Sequence, residues 1–327
     1  MAQRQGTQIM YYPYLRGKQF ELLAIKELAD VMRESKSVHP VIEPVRDVDS
    51  SNTLLRNMAV LAQKRVPSTV IINPQVGEIK GTNKSEQLLA TLRPILDVNP
   101  QMKIGIILSN DEELVKLTHI LNHQDRQFKV DLFYGSSNIQ NECMNNLSKS
   151  CDVDIHFAED KYVTRRYRST FPTRRTALLR DSFARQIRNQ DYFTLGESIF
   201  SEDHLFFRED NYVGFGDFQT IGSQFNEGGA LPRVVAIHLT YQRPNEEAIY
   251  IRHFCSTPNG SSADTAGKYF EALTKLVTFV DENRLDNSAI ATFRSHLTNR
   301  SYAGLGVIKK LSIQNHIYVA LGAENND

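Results

Sequence analysis

Neither sign of charge is in excess: 38 Lys and Arg stand against 38 Asp and Glu in 327 residues. A neutral chain has no overall field for nucleic acid or a membrane surface, so any such contact must come from a local patch. Cysteine is scarce. Cys143, Cys151 and Cys255 are odd in number and lack the paired spacing of a zinc site or a disulfide framework. That usage predicts a reducing compartment, the cytoplasm. Long hydrophobic runs are missing too: stretches such as Ile104–Leu108 are strand-sized, far below the ~20 residues of a membrane span. The first residues, MAQRQGTQIMYYPY, hold no apolar core and no small-residue cleavage site, so no signal peptide is expected.

The short signatures of familiar chemistries are also absent. There is no G-x-x-x-x-G-K-[ST] loop, no H-E-x-x-H and no G-x-S-x-G. Gly214 and Gly216 begin a G-x-G pattern, but they lie in a predicted strand and the third glycine is missing. No cofactor motif is evident, and low-complexity tracts and tandem repeats are not found.

What is present is a rhythm. A short β-branched or aromatic run is followed by a polar turn and then by a segment of helical period. Ile9–Tyr14 leads to Gln19–Arg33, His39–Val45 to Thr53–Lys64, and Thr69–Asn73 to Glu86–Leu96. Lys103–Ser109 leads to a capped helix at Asp111, Phe128–Tyr134 to Ile139–Lys149, and Val153–Phe157 reads as a sixth strand. Tyr212–Thr220 and Val234–Tyr241 would complete eight, with the helix Thr265–Asn283 closing the ring. Units of roughly 30 residues in this order predict an α/β protein of the (β/α)8, TIM-barrel-like type. The expected division is a barrel over 1–285 and a helical C-terminal extension over 286–327. An open, doubly wound parallel sheet is the alternative, because it gives the same alternation.

The segments YYPYLRGKQFELLAIKEL (Tyr11–Leu28), PVIEPV (Pro40–Val45) and YVGFGDFQTIG…VVAIHLTY (Tyr212–Tyr241) resemble the phage-type "beta protein" family. GKYFEAL (Gly267–Leu273) and GLGVIKKLSIQNHI (Gly304–Ile317) extend the likeness over nearly the whole chain. The resemblance implies a setting in phages and in bacterial mobile or defence islands. It supplies no catalytic residue to carry over.

In a barrel, residues at the carboxyl ends of strands face the functional mouth. Glu43 stands out, a carboxylate inside the apolar run Val41–Val45, where it must be used or paired with a base such as Lys18 or Arg46. Asp217 follows two glycines in GFGDF, and His238 sits in the apolar run Val234–Leu239. Two carboxylates and an imidazole can divide acid and base roles, or hold a divalent metal together with Asn73. Their bland alternative is a set of buried, hydrogen-bonded core residues. Arg16 and Lys18, around Gly17, would hold a phosphate or carboxylate, and Tyr241 closes the set of strand-end ligand candidates.

The strongest local anomaly is Lys161–Arg188, with nine basic residues against Asp181 alone and Tyr162, Tyr167 and Phe171 interleaved. Arg165, Arg166, Arg174 and Arg175 in such a run suit phosphate backbones and stacked bases. They equally suit an acidic protein partner or a solvated helix face, since Ala177–Ile187 has helical character. The expectation is a barrel acting on a nucleotide or nucleic acid in phage–host conflict; the alternative is a non-catalytic recognition subunit that binds a partner protein. No membrane contact is expected.

Overall fold

Eight parallel strands close into a barrel in the computed structural model, which describes residues 10–47, 53–136, 139–159, 175–228 and 231–323. They are β1 (Tyr11–Leu15), β2 (Val41–Ile42), β3 (Thr69–Ile71), β4 (Lys103–Leu108), β5 (Lys129–Tyr134), β6 (Asp152–Glu159) and β7 (Thr176–Arg180). The chain then supplies β8 (Glu197–Ser201) to a different sheet, and β9 (Phe215–Asp217) is the eighth stave. β9 pairs with β7 on one side and β1 on the other, Gly216 lying opposite both Leu179 and Tyr12. Closure rules out the open doubly wound sheet.

The seam explains the glycines of GFGDF. A Cβ on Gly216 would stand 2.3 Å from the Tyr12 carbonyl oxygen, and one on Gly214 would stand 2.4 Å from that of Met10. Strands of this kind bury both faces, so they read as continuous apolar runs; every residue of β4 (KIGIIL) is buried.

Ring contacts fix which side chains enter the lumen. Tyr14 meets Phe133 at 5.9 Å, Tyr12 meets Phe157 at 4.8 Å, and Phe133 stacks on Phe157 at 4.5 Å. β1 is not a sheet neighbour of β5 or β6, so these rings meet only across the interior. The pleat then turns Tyr11 outward, where its ring lies 5.2 Å from that of Phe215.

Two compact units divide the chain. The barrel unit takes the described residues of Met1–Lys18, Ala29–Arg180 and Asp203–Asp217. The second takes those of Gln19–Leu28, Asp181–Glu202 and Phe218–Asp327. In the second unit β10 (Ala236–Gln242), β11 (Ile249–Cys255) and β8 form an antiparallel sheet in the order β10-β11-β8. One face, carrying Ile237, Leu239, Tyr241 and Phe254, packs on Tyr269, Leu273 and Leu276 of the helix Thr265–Glu282. The other carries Ile249, Ile251, Cys255 and Phe200 against Phe183 and Tyr192. The tail is helical as expected, in Ser288–Thr298 and Leu305–Ala323.

Three expectations change. Val234–Tyr241 is not a barrel stave; it belongs to the antiparallel sheet. Ala177–Ile187 is not a helix, because Thr176–Arg180 is β7 and the chain beyond it is irregular. Five residues with no room for a full period fit either template. The predicted Gln19–Arg33 helix breaks at Leu28 into Gln19–Glu27 and Ala29–Ser35.

Candidate active site at the barrel mouth

Polar groups gather at the carboxyl ends of β1 to β4. Glu43, just past β2, is fully buried. Its Oε2 accepts from the Tyr14 hydroxyl at 2.6 Å and from the Arg16 guanidinium, and its Oε1 accepts from the backbone N–H of Gln75 at 2.7 Å. Gly17 makes the turn after Arg16 with φ +64°, and a Cβ there would stand 3.3 Å from the Glu43 carbonyl oxygen, a conformation that glycine adopts without steric cost. Lys18 follows, half-buried.

Gln75 extends the network. Its Nε2 donates to the Asn73 carbonyl and to Glu113 Oε2, both at 3.0 Å. Ser109, beyond β4, donates to the same Glu113 oxygen at 2.5 Å. Glu113 lies in the first turn of the helix Asp111–Asn122, whose N-terminus is capped by Asn110 accepting from the Glu113 N–H at 2.9 Å. The cap fixes where Glu113 stands, and Glu113 remains half-exposed.

The opposite end of the lumen is closed by a second polar cluster. His39 Nε2 lies 2.8 Å from Thr69 Oγ1, which donates to Asp131 at 2.5 Å. Lys103 donates to both Asp131 oxygens, at 2.9 and 3.2 Å, and pairs with Asp154 at 2.7 Å. Burial holds the His39 pKa well below its ordinary value, and the Lys103 charge adds to the effect. His39 is thus neutral, and its partners are internal.

The predicted acid/base set is not assembled at the mouth. Asp217 shares the outward parity of Tyr11, whose hydroxyl donates to its two oxygens at 3.0 and 3.1 Å. His238 lies in β10 of the second unit, its Nδ1 2.8 Å from Nδ1 of His253 on β11. One nitrogen must donate and the other accept. Burial favours that neutral pair, holding His253 down at about 4 and His238 well below the usual histidine range.

The ligand candidates divide similarly. Arg16 and Lys18 are at the mouth. Asn73 is there too, but its side chain is committed to the backbone of Ile107, at 2.7 and 2.8 Å. Tyr241 belongs to the second unit and donates to Glu197 at 2.6 Å. Arg175 precedes β7, so it stands at the closed end, paired with Asp154. Arg165, Arg166 and Arg174 lie outside the described residues.

No family model, curated protein or solved structure matches the chain. Among the described residues no group of three or more His, Cys, Asp or Glu is arranged to hold a metal ion. None of their helices is long and apolar enough to cross a membrane. All three cysteines are free, and burial raises the thiols of Cys151 and Cys255 to about 12 and about 11.

Gln75 and Glu113 are not among the residues that the sequence singles out. Gln75 follows Asn73-Pro74 with nothing to mark it. Glu113 did carry a signal, since the Asn110 cap places the Asp111–Glu113 acids in a first turn directly after a barrel strand.

Proposed function

We propose that the barrel mouth is an active site for a phosphate-bearing substrate, a nucleotide or nucleic acid, in the cytoplasmic conflict between a phage and its host. The observation that carries this reading is Glu43, fully buried at the end of β2 with Tyr14, Arg16 and the Gln75 N–H converging on it. A buried carboxylate is costly unless its lone pairs are met, and here meeting them fixes a guanidinium at the mouth. Arg16 and Lys18 then take the phosphate. Glu113, whose Oε2 accepts from Ser109 and Gln75, is the acid–base group and takes its proton from the bound substrate or its attacking water. Arg165, Arg166 and Arg174, outside the described residues, follow β6 in the sequence and would add positive charge for the same anion. Asp217 and His238 have no part in this chemistry. The phage setting rests on the family likeness alone.

One observation favours a second reading, a non-catalytic barrel that binds a partner protein: both Glu43 oxygens are already occupied, as in a structural network. Fluorescence anisotropy with labelled DNA and RNA across a salt series, beside calorimetry with mononucleotides, separates the two. The active-site reading expects binding that weakens with salt and drops ~10-fold or more in Arg16→Ala and Lys18→Ala. Absence of binding to every nucleotide and nucleic acid at low salt, with an acidic protein co-purifying, would leave the second reading standing.

A further inference from the structure

We propose that His119 and His123 form a surface site for a borderline divalent cation of the Zn2+, Ni2+ or Cu2+ class. They lie at the carboxyl end of the helix Asp111–Asn122, and His123 occupies its C-cap. Four residues apart, they stand one above the other on a single face. Their ring centroids are 4.1 Å apart and their planes are inclined by 37°. The helix is anchored by Leu114, Leu117 and Leu121, all buried, so the pair is carried on a fixed element.

The His123 ring is preset as a ligand. Its Nδ1 lies 2.8 Å from the carbonyl oxygen of His119. A carbonyl only accepts, so Nδ1 carries the hydrogen and the lone pair sits on Nε2. An N–H bonded to a backbone carbonyl is the usual outer support of a metal-bound imidazole, since it fixes the tautomer and the ring orientation. Imidazole nitrogen selects this cation class over Mg2+ and Ca2+, which favour oxygen.

The surroundings leave the pair to itself. Of nine histidines in the chain, the other seven are buried or half-buried, and His119 and His123 are the two exposed. The nearby charges are matched: Asp125 accepts from Arg93, and Arg126 pairs with Asp97. Two protein ligands leave positions for water, so the site holds an exchangeable ion, unlike a closed four-ligand structural site. It is independent of the barrel mouth.

The test is isothermal calorimetry of ZnCl2 and NiCl2 into the untagged full chain at pH 7.5, beside His119→Ala, His123→Ala and the double variant. One ion per chain is expected, with each single variant ~10-fold weaker or worse. Both side chains are exposed, so the metal-free variants should melt with the wild type. Wild-type binding in the double variant, or none in the wild type at millimolar ion, overturns the proposal.

Discussion

The two ends of the barrel lumen use similar residue types to different ends. At the closed end, His39, Thr69, Lys103 and Asp131 are all buried and satisfy one another. At the mouth, Glu43 is equally buried, yet its network runs outward through Gln75 to the half-exposed Glu113 and Ser109. A polar cluster that terminates in itself supports the fold. One that terminates at the surface has a member left to meet a ligand. The contrast agrees with the general rule that barrels keep function at the carboxyl ends of their strands and stability at the other end.

The largest effect should come from breaking the closed end. Asp131→Ala leaves the buried Lys103 ammonium with Asp154 alone and strips Thr69 of its acceptor, so a loss of up to ~3–5 kcal/mol is expected in chemical denaturation. A loss below ~1 kcal/mol would mean that the cluster is wetter than its burial implies. Acid acts on the closed end through His39 and on the outer wall through His156, which precedes the lumen-facing Phe157 and so points outward. His39 is held neutral, and burial pushes His156 down to about 4. The unfolded chain takes up these protons near pH 6.5 and the folded chain does not. Stability is therefore fully present above about pH 6.5 and falls as the pH drops towards 4, His156 alone contributing ~2–3 kcal/mol. Unfolding curves at pH 7, 6, 5 and 4 measure this, and His39→Gln should flatten part of the slope.

On the outer wall, Asp217→Ala removes the two carboxylate oxygens to which the Tyr11 hydroxyl donates, at a cost of ~1–3 kcal/mol. That variant should lose stability while nucleotide binding at the mouth is unchanged. Glu113→Gln should be the mildest, within ~1 kcal/mol of wild type, because the side chain is half-exposed. If the mouth is an active site, turnover falls in Glu113→Gln while Tm hardly moves. The reverse pattern would make both ends structural.

The residues differ in how much of this they disclosed beforehand. β1 to β6 were legible because parallel strands covered on both faces must be apolar throughout, and KIGIIL or KVDLFY can be little else. β7 was not, since TALLR is too short to reveal a period. β8 and β11 were missed because a small antiparallel sheet interrupts the βα rhythm on which the reading relied. Glu43 declared itself by polarity in an apolar run, but its partner proved to be Arg16, while Arg46 pairs with Glu78. Asp217 gave the same signal with the opposite meaning. Parity within β9 decides whether that carboxylate faces the lumen or the outside, and β9 is only three residues long.

The allocation of chain between the two units has a consequence for anyone cutting this protein. Residues 19–28 and 181–202 serve the second unit from inside the stretch that builds the barrel, and 203–217 return to supply the last stave. A fragment ending at Asp217 would carry β8 and the helix Gln19–Glu27 without β10, β11 and the C-terminal helices of their own unit. A fragment starting at Phe218 would lack β8, and its helix Leu305–Ala323 would lose Glu27, to which Lys310 and Gln314 bond. Each unit has its own core, yet neither corresponds to an uninterrupted stretch of gene. Truncation would therefore yield incomplete sheets with open edges, and the smallest heritable piece of this fold is close to the whole chain.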